Sequence, residues 1–196
     1  GSTVIDKTVT LTETFTAGAN TSLDNYLITA QGTAEAKITQ KSVSVSGITA
    51  NNKVYNGTNA ATVVVSGASI SGLIAGDNVV VSATGEFDNE NVEYSGSTVT
   101  TKTVTLTSTY TGTDVGNYNI SDQATTTATI NKRVLDLSNR TDVTAADKIY
   151  DGNTTATVDV NGITTAVLES VGLISGDVLG SISATGTFAS EDVAYG

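Results

Sequence analysis

One turn is written twice in this chain: Lys53-Val54-Tyr55-Asn56-Gly57 returns 95 positions later as Lys148-Ile149-Tyr150-Asp151-Gly152. The repetition extends on both sides. Gly72-Leu73-Ile74-Ala75-Gly76-Asp77 returns as Gly172-Leu173-Ile174-Ser175-Gly176-Asp177, and Ala83-Thr84-Gly85-Glu86-Phe87 as Ala184-Thr185-Gly186-Thr187-Phe188. Lys7-Thr8-Val9-Thr10-Leu11-Thr12 anticipates Lys102-Thr103-Val104-Thr105-Leu106-Thr107, and Asn25-Tyr26 anticipates Asn117-Tyr118. A period of domain size means that each copy must bury its own core, so whatever the fold is, the chain builds it more than once.

The offsets put the unit boundaries near residues 41 and 132. Residues 1–41 then form the C-terminal part of one repeat, 42–132 a complete repeat, and 133–196 the N-terminal part of the next. The two partial copies are complementary. Val193-Ala194-Tyr195-Gly196 runs into Gly1-Ser2-Thr3-Val4 in the same register as the continuous stretch Val92–Val99. This predicts an array in which residues 196 and 1 of adjoining copies are neighbours and residues 1–41 of one copy complete the last repeat of another. The absence of Met likewise predicts that Gly1 is not a translation start.

Period-two alternation marks the strands: Thr8-Val9-Thr10-Leu11-Thr12, Val43-Ser44-Val45-Ser46 and Thr103-Val104-Thr105-Leu106-Thr107. Between them stand turn formers that tolerate positive φ, among them Asn56-Gly57, Asp151-Gly152 and Gly76-Asp77. Helical periodicity is confined to one turn's worth at Thr165–Ser170, inside the insertion that distinguishes the second copy. Short strands in units near 95 residues predict an all-β fold of tandem antiparallel β-sandwich repeats of immunoglobulin-like size. A β-grasp-like strand order is the alternative.

Composition narrows the chemistry. The 196 residues include no His, Cys, Met, Trp or Pro, so there is no imidazole base, no thiolate nucleophile and no zinc set, and an enzyme would have carboxylates alone. Nine Lys+Arg against 20 Asp+Glu give a net charge of -11, which repels phosphate backbones and argues against nucleic acid. A mean hydropathy of +0.03 and the lack of a long apolar run argue against a membrane span.

At Lys148-Ile149-Tyr150-Asp151-Gly152, at the Gly-Leu-x-x-Gly-Asp turn and at Gly116-Asn117-Tyr118 with Thr125–Ile130, the chain resembles the YDG repeat of large bacterial surface adhesins of the filamentous-haemagglutinin-like type. The complete copy departs from that motif at Asn56, which keeps the turn. The resemblance implies secreted arrays of β-sandwich modules without catalysis, located outside the cell or on its surface.

Several residues invite a functional reading. Tyr55, Tyr150, Phe87, Phe188, Tyr118 and Tyr26 are expected in the core, each tyrosine with its hydroxyl bonded, rather than as a ligand platform. Lys53 and Lys148 are strand-starting lysines; beside Asn or Asp, such an amine can form an intramolecular isopeptide bond, which would lower the mass by about 17 Da. No cofactor is expected; Asp88 and Glu90, with Asp77 in a separate turn, offer hard oxygen ligands to Ca²⁺, but no fixed EF-hand spacing is present and such Asp- and Asn-rich turns are ordinary in β-sandwich loops. Sequons occur at Asn20, Asn56, Asn119, Asn139 and Asn153. The Thr ladder over 101–107 resembles an ice-binding face, but a hydrated, exposed strand face is its expected role, because β-branching favours the extended backbone.

The expected function is mechanical: a spacer and filament-forming repeat of an extracellular fibre, its partners identical neighbouring repeats, adding about 30–40 Å per domain at about 3.3 Å per strand residue. Lys41, Lys132 and Arg133 are expected opposite acidic loops at the junctions. The alternatives are a surface-binding module for carbohydrate, host protein or an ice or crystal face, and a discrete subunit assembled by donor-strand exchange.

Overall fold

The structure, a computed structural model, describes residues 4–194. The expected join of Tyr195-Gly196 to Gly1-Ser2-Thr3 lies outside them. The chain divides into two compact units: Gly1–Gly47 with Val65–Ser82 and Ser108–Gln123, and Ile48–Val64 with Ala83–Thr107 and Ala124–Gly196. Their regular elements are almost all strands, so the all-β class stands.

In the first unit, Lys7–Thr10 pairs antiparallel with Thr33–Ala36, Lys7 opposite Ala36. A separate three-stranded sheet centres on Lys41–Ser46, antiparallel to Ser69–Ser71 and parallel to Tyr118–Ser121. The alternation foreseen in Lys41–Ser46 is realised: Val43 and Val45 are buried while the serines between and beyond them face outward. The strand ends at Gly47, where φ is +83° and a Cβ would stand 2.3 Å from the Gly67 carbonyl oxygen, so only glycine fits.

The second unit holds the larger core. Phe87, Ile48, Ile130 and Val104 are its fully buried large side chains. Its four-stranded sheet runs in the order Thr125–Ala128, Lys102–Thr111, Val80–Phe87, Ala60–Ala61, of which residues 102–107 and 83–87 belong to this unit. Along residues 102–106 the inward positions are Lys102, Val104 and Leu106. Gly85 lets the strands close up: a Cβ there would sit 2.7 Å from Val63 Cγ2 and 2.8 Å from Val104 Cγ1. The second copy reproduces this approach, Gly186 standing in the same relation to Val158 Cγ2 at 2.6 Å. Ala156 faces Gly186 there as Ala61 faces Gly85 in the first copy.

One expectation is modified and another is met. Strand pairing is not wholly antiparallel: Tyr118–Ser121 on Lys41–Ser46, and Ile130–Asn131 on Lys53–Val54, are parallel. Each pair joins strands far apart in sequence, which provides the long crossover that parallel pairing requires. The helical turn foreseen at Thr165–Ser170 forms there, with Thr164 Oγ1 accepting from the Val167 amide at 3.3 Å and Leu168 buried beneath it.

Candidate functional site at the lysine–tyrosine turns

The repeated pentapeptide folds the same way twice. Asn56 Oδ1 accepts from the Thr58 amide at 3.3 Å, and Asp151 Oδ1 from the Asn153 amide at 3.1 Å; the following glycines, Gly57 and Gly152, both have φ of +74°. This is an Asx turn completed by a residue in the left-handed region, and Asn and Asp serve it equally. The lysine then curls back over the turn. Lys53 Nζ donates to the carbonyls of Thr58 (2.5 Å) and Ala60 (3.0 Å), and Lys148 Nζ to Asp151 Oδ1 (2.7 Å) and the carbonyls of Asn153 and Thr155. Each ammonium also lies 5.6 Å from a ring centroid, Lys53 over Phe87 and Lys148 over Phe188. Both amines that invited the isopeptide reading are thus engaged as donors. Desolvation holds the Lys53 amine below the ordinary lysine range, and the Lys148 hydrogen bond holds the Asp151 carboxyl below that of a free carboxylate.

The turn aims Tyr55 at the next repeat. Its strand pairs in parallel with Ile130–Asn131, and the Tyr55 amide donates to the Asn131 carbonyl at 2.9 Å, so the tyrosine is tied to the last residues of its own repeat. Its hydroxyl donates to Asp177 Oδ1 at 3.2 Å, in the Ile174–Asp177 turn of the following repeat. A cleft of about 220 Å³ lies here, lined by Tyr55, Lys132, Arg133, Leu173 and Ile174. Gly57 belongs to the joint as well: a Cβ on it would stand 3.0 Å from Ile174 Cγ2. Two of the junction cations have partners other than a carboxylate: Lys132 lies 5.0 Å from the Tyr94 ring centroid, and the Arg133 guanidinium donates to the Gly172 carbonyl.

The other expected residues divide. Phe87 and Tyr118 are buried, Tyr118 with its hydroxyl on Asp77 and accepting from the Ile74 amide at 3.1 Å. Tyr55 is half-buried, whereas Tyr26, Tyr150 and Phe188 are exposed at 63%, 59% and 39%. Phe87 ends a strand of a four-stranded sheet, while Phe188 follows a pairing of two residues, too little to cover a ring. The structure does not gather Asp77, Asp88 and Glu90 around a cation, and among the described residues no three acidic side chains form a metal cluster. Asp77 serves Tyr118. Asp88 instead meets a cation that the chain carries itself: Lys102, buried, with Nζ 3.1 Å from Asp88 Oδ1, 2.6 Å from Asn89 Oδ1 and 2.9 Å from the Asn91 carbonyl.

The Thr ladder is exposed at Thr103, Thr105 and Thr107, and across the antiparallel pair Thr103 faces Thr127 and Thr105 faces Thr125. Among the described residues, no helix is long and apolar enough to cross a membrane.

Comparison with known families meets the two turns just described. The pattern of the YDG domain matches residues 39–128 and again 131–196. The chain belongs to the YDG domain family. Neither a curated protein nor a solved structure matches it. The YDG turn therefore has a physical content in this chain: Asx turn, left-handed glycine, lysine clamp, and a tyrosine that in the first copy reaches the next repeat.

Tyrosine hydroxyls also set an alkaline limit. The Asp177 carboxylate, accepting its hydrogen bond, raises the ionisation of Tyr55; desolvation followed by Asp77 raises that of Tyr118; desolvation and Asp122 push Tyr110 up to about 12. A group with a raised folded pKa stabilises fully below its unfolded value, about 10 for tyrosine, and loses that contribution as pH climbs through the folded value. The thermal midpoint is therefore expected to hold up to about pH 10 and fall between about 10 and 12, with Tyr110→Phe flattening the upper part of that fall. An unchanged alkaline profile in Tyr110→Phe would refute this assignment.

Proposed function

We propose that this YDG chain is a structural repeat of a long extracellular bacterial fibre or adhesin stalk, a spacer rather than an enzyme, in which residues 42–132 form a whole module and 133–196 join residues 1–41 of an adjoining copy. The observation that carries the reading is the joint: Tyr55, fixed by its backbone to Asn131, bonded through its hydroxyl to Asp177 of the next repeat. A linker between independent modules needs no such contact, whereas a stalk gains stiffness from every bond across its joints. The acidic charge of -11 keeps such a fibre soluble and free of nucleic acid. The resemblance of its turns to those of filamentous-haemagglutinin-like exoproteins favours a location at the cell surface.

Scattering from tandem fusions of the 196-residue chain tests this. The maximum dimension should rise by about 60–80 Å with each added copy, that is, two modules of strands at about 3.3 Å per residue. Tyr55→Ala should raise the flexibility without unfolding either module. Growth much weaker than linear in copy number would end the spacer reading.

A further inference from the structure

The exposed residues of the two partial copies are the repeat counterparts of residues that are buried in the complete copy. Lys7 is exposed, while Lys102 is buried. Val9 is 41% exposed where Val104 is fully buried, and Ile38 is 71% exposed where Ile130 is fully buried. Phe188 and Tyr26 stand open where Phe87 and Tyr118 are closed. Lys7 and Val9 share one face of their strand, as do Lys102 and Val104. Exposure of matched positions on two segments is what one divided core leaves behind.

The segment 147–194 carries the matching cleft, about 510 Å³, lined by Tyr150, Phe188, Glu191 and Asp192 together with Asp147 and Lys148. Three acids and one lysine give it a net negative charge. Its loop repeats the geometry of the lysine-holding one: the Asp192 amide donates to Ser190 Oγ at 3.1 Å, as the Asn91 amide donates to Asn89 Oδ1 at 2.9 Å. In the complete copy the cation over that loop is Lys102, beginning the strand that continues into Val104.

We propose that this cleft seats the strand Lys7–Thr10 of a second copy of the chain, with the Lys7 ammonium on the Ser190–Asp192 loop, in the place that Lys102 takes beside Asp88–Asn91, and Val9 under Phe188. The inference rests on the array reading and supplies its contact: an acidic, aromatic cleft meeting a strand whose inward face is one lysine followed by apolar residues. The interface is head-to-tail, so it propagates rather than closing into a dimer.

Sedimentation of the 196-residue chain across a concentration series tests it, up to about 1 mM, the range that a short covalent connection would impose. Stepwise, concentration-dependent association is expected. Lys7→Glu and Asp192→Lys, both at exposed positions, should each weaken it at least about tenfold while leaving the thermal midpoint of dilute protein unchanged. An equimolar mixture of the two variants should regain association, because the reversed pair meets across the interface. Association indifferent to both substitutions would overturn the lysine seat while leaving the array reading in place. A chain that stays monomeric at about 1 mM would overturn the seat as well, and the length of the tandem fusions would then decide the array reading separately.

Discussion

Phe87→Ala is expected to cost about 3–5 kcal/mol, the usual loss for a buried phenylalanine, and to lower the thermal midpoint by at least about 10 °C. Its repeat counterpart Phe188→Ala is expected to cost less than about 1 kcal/mol in dilute solution. The two phenylalanines close the same Ala-Thr-Gly-x-Phe sequence, so the contrast comes from surroundings alone. Phe87 is 2% exposed at the end of an eight-residue strand, while Phe188 is 39% exposed after a two-residue pairing. Parallel thermal melts of the two variants decide the matter. Equal losses would mean that Phe188 is as well covered as Phe87, against the environments described above.

Lys102→Ala is the second large effect, expected to cost about 2–3 kcal/mol, with Lys102→Met costing roughly half because it keeps the packing of the stem. The side chain is 2% exposed, and removing it leaves the Asn91 carbonyl without its lysine donor and Asn89 Oδ1 with the Asn91 amide alone. The cost stays below that of breaking a fully buried pair because Asp88, 57% exposed, remains solvated. The hydrogen bond from Lys102 lowers the Asp88 pKa, so this carboxylate stabilises the fold above its unfolded value of about 3.9 and ceases to do so as pH falls through the folded value. In Lys102→Met the Asp88 carboxyl should titrate nearer its unfolded value, which carboxyl-carbon NMR can follow. An unmoved Asp88 titration, or a loss of stability within error of zero, would remove Lys102 from the centre of that loop.

This lysine also shows how far the sequence could be read. The sequence shows Asp88–Asn91 as an oxygen-rich loop, with an ordinary β-sandwich turn as its first reading and a calcium seat as its second. The cation is an ammonium from the same chain. The signal lay in the parity of the strand: Lys102 occupies the same face as Val104 and Leu106, and a lysine on an inward face must find its acceptors nearby.

Sequence alone determined the all-β class, the repeat, the helical turn at Thr165–Ser170 and the turn chemistry of Asn56-Gly57 and Asp151-Gly152. These depend on local alternation, on left-handed glycines and on short side-chain acceptors, all of which act within a few residues. Only the tertiary structure decided that Tyr118–Ser121 runs parallel to Lys41–Ser46, that Tyr55 reaches Asp177, and that Phe87 and Phe188 differ in burial. Those outcomes turn on partners 77, 122 and more residues apart, or on strands that one copy has and the other lacks. A repeated motif fixes its own conformation, but what its tyrosine touches and what covers its phenylalanine depend on the rest of the sheet.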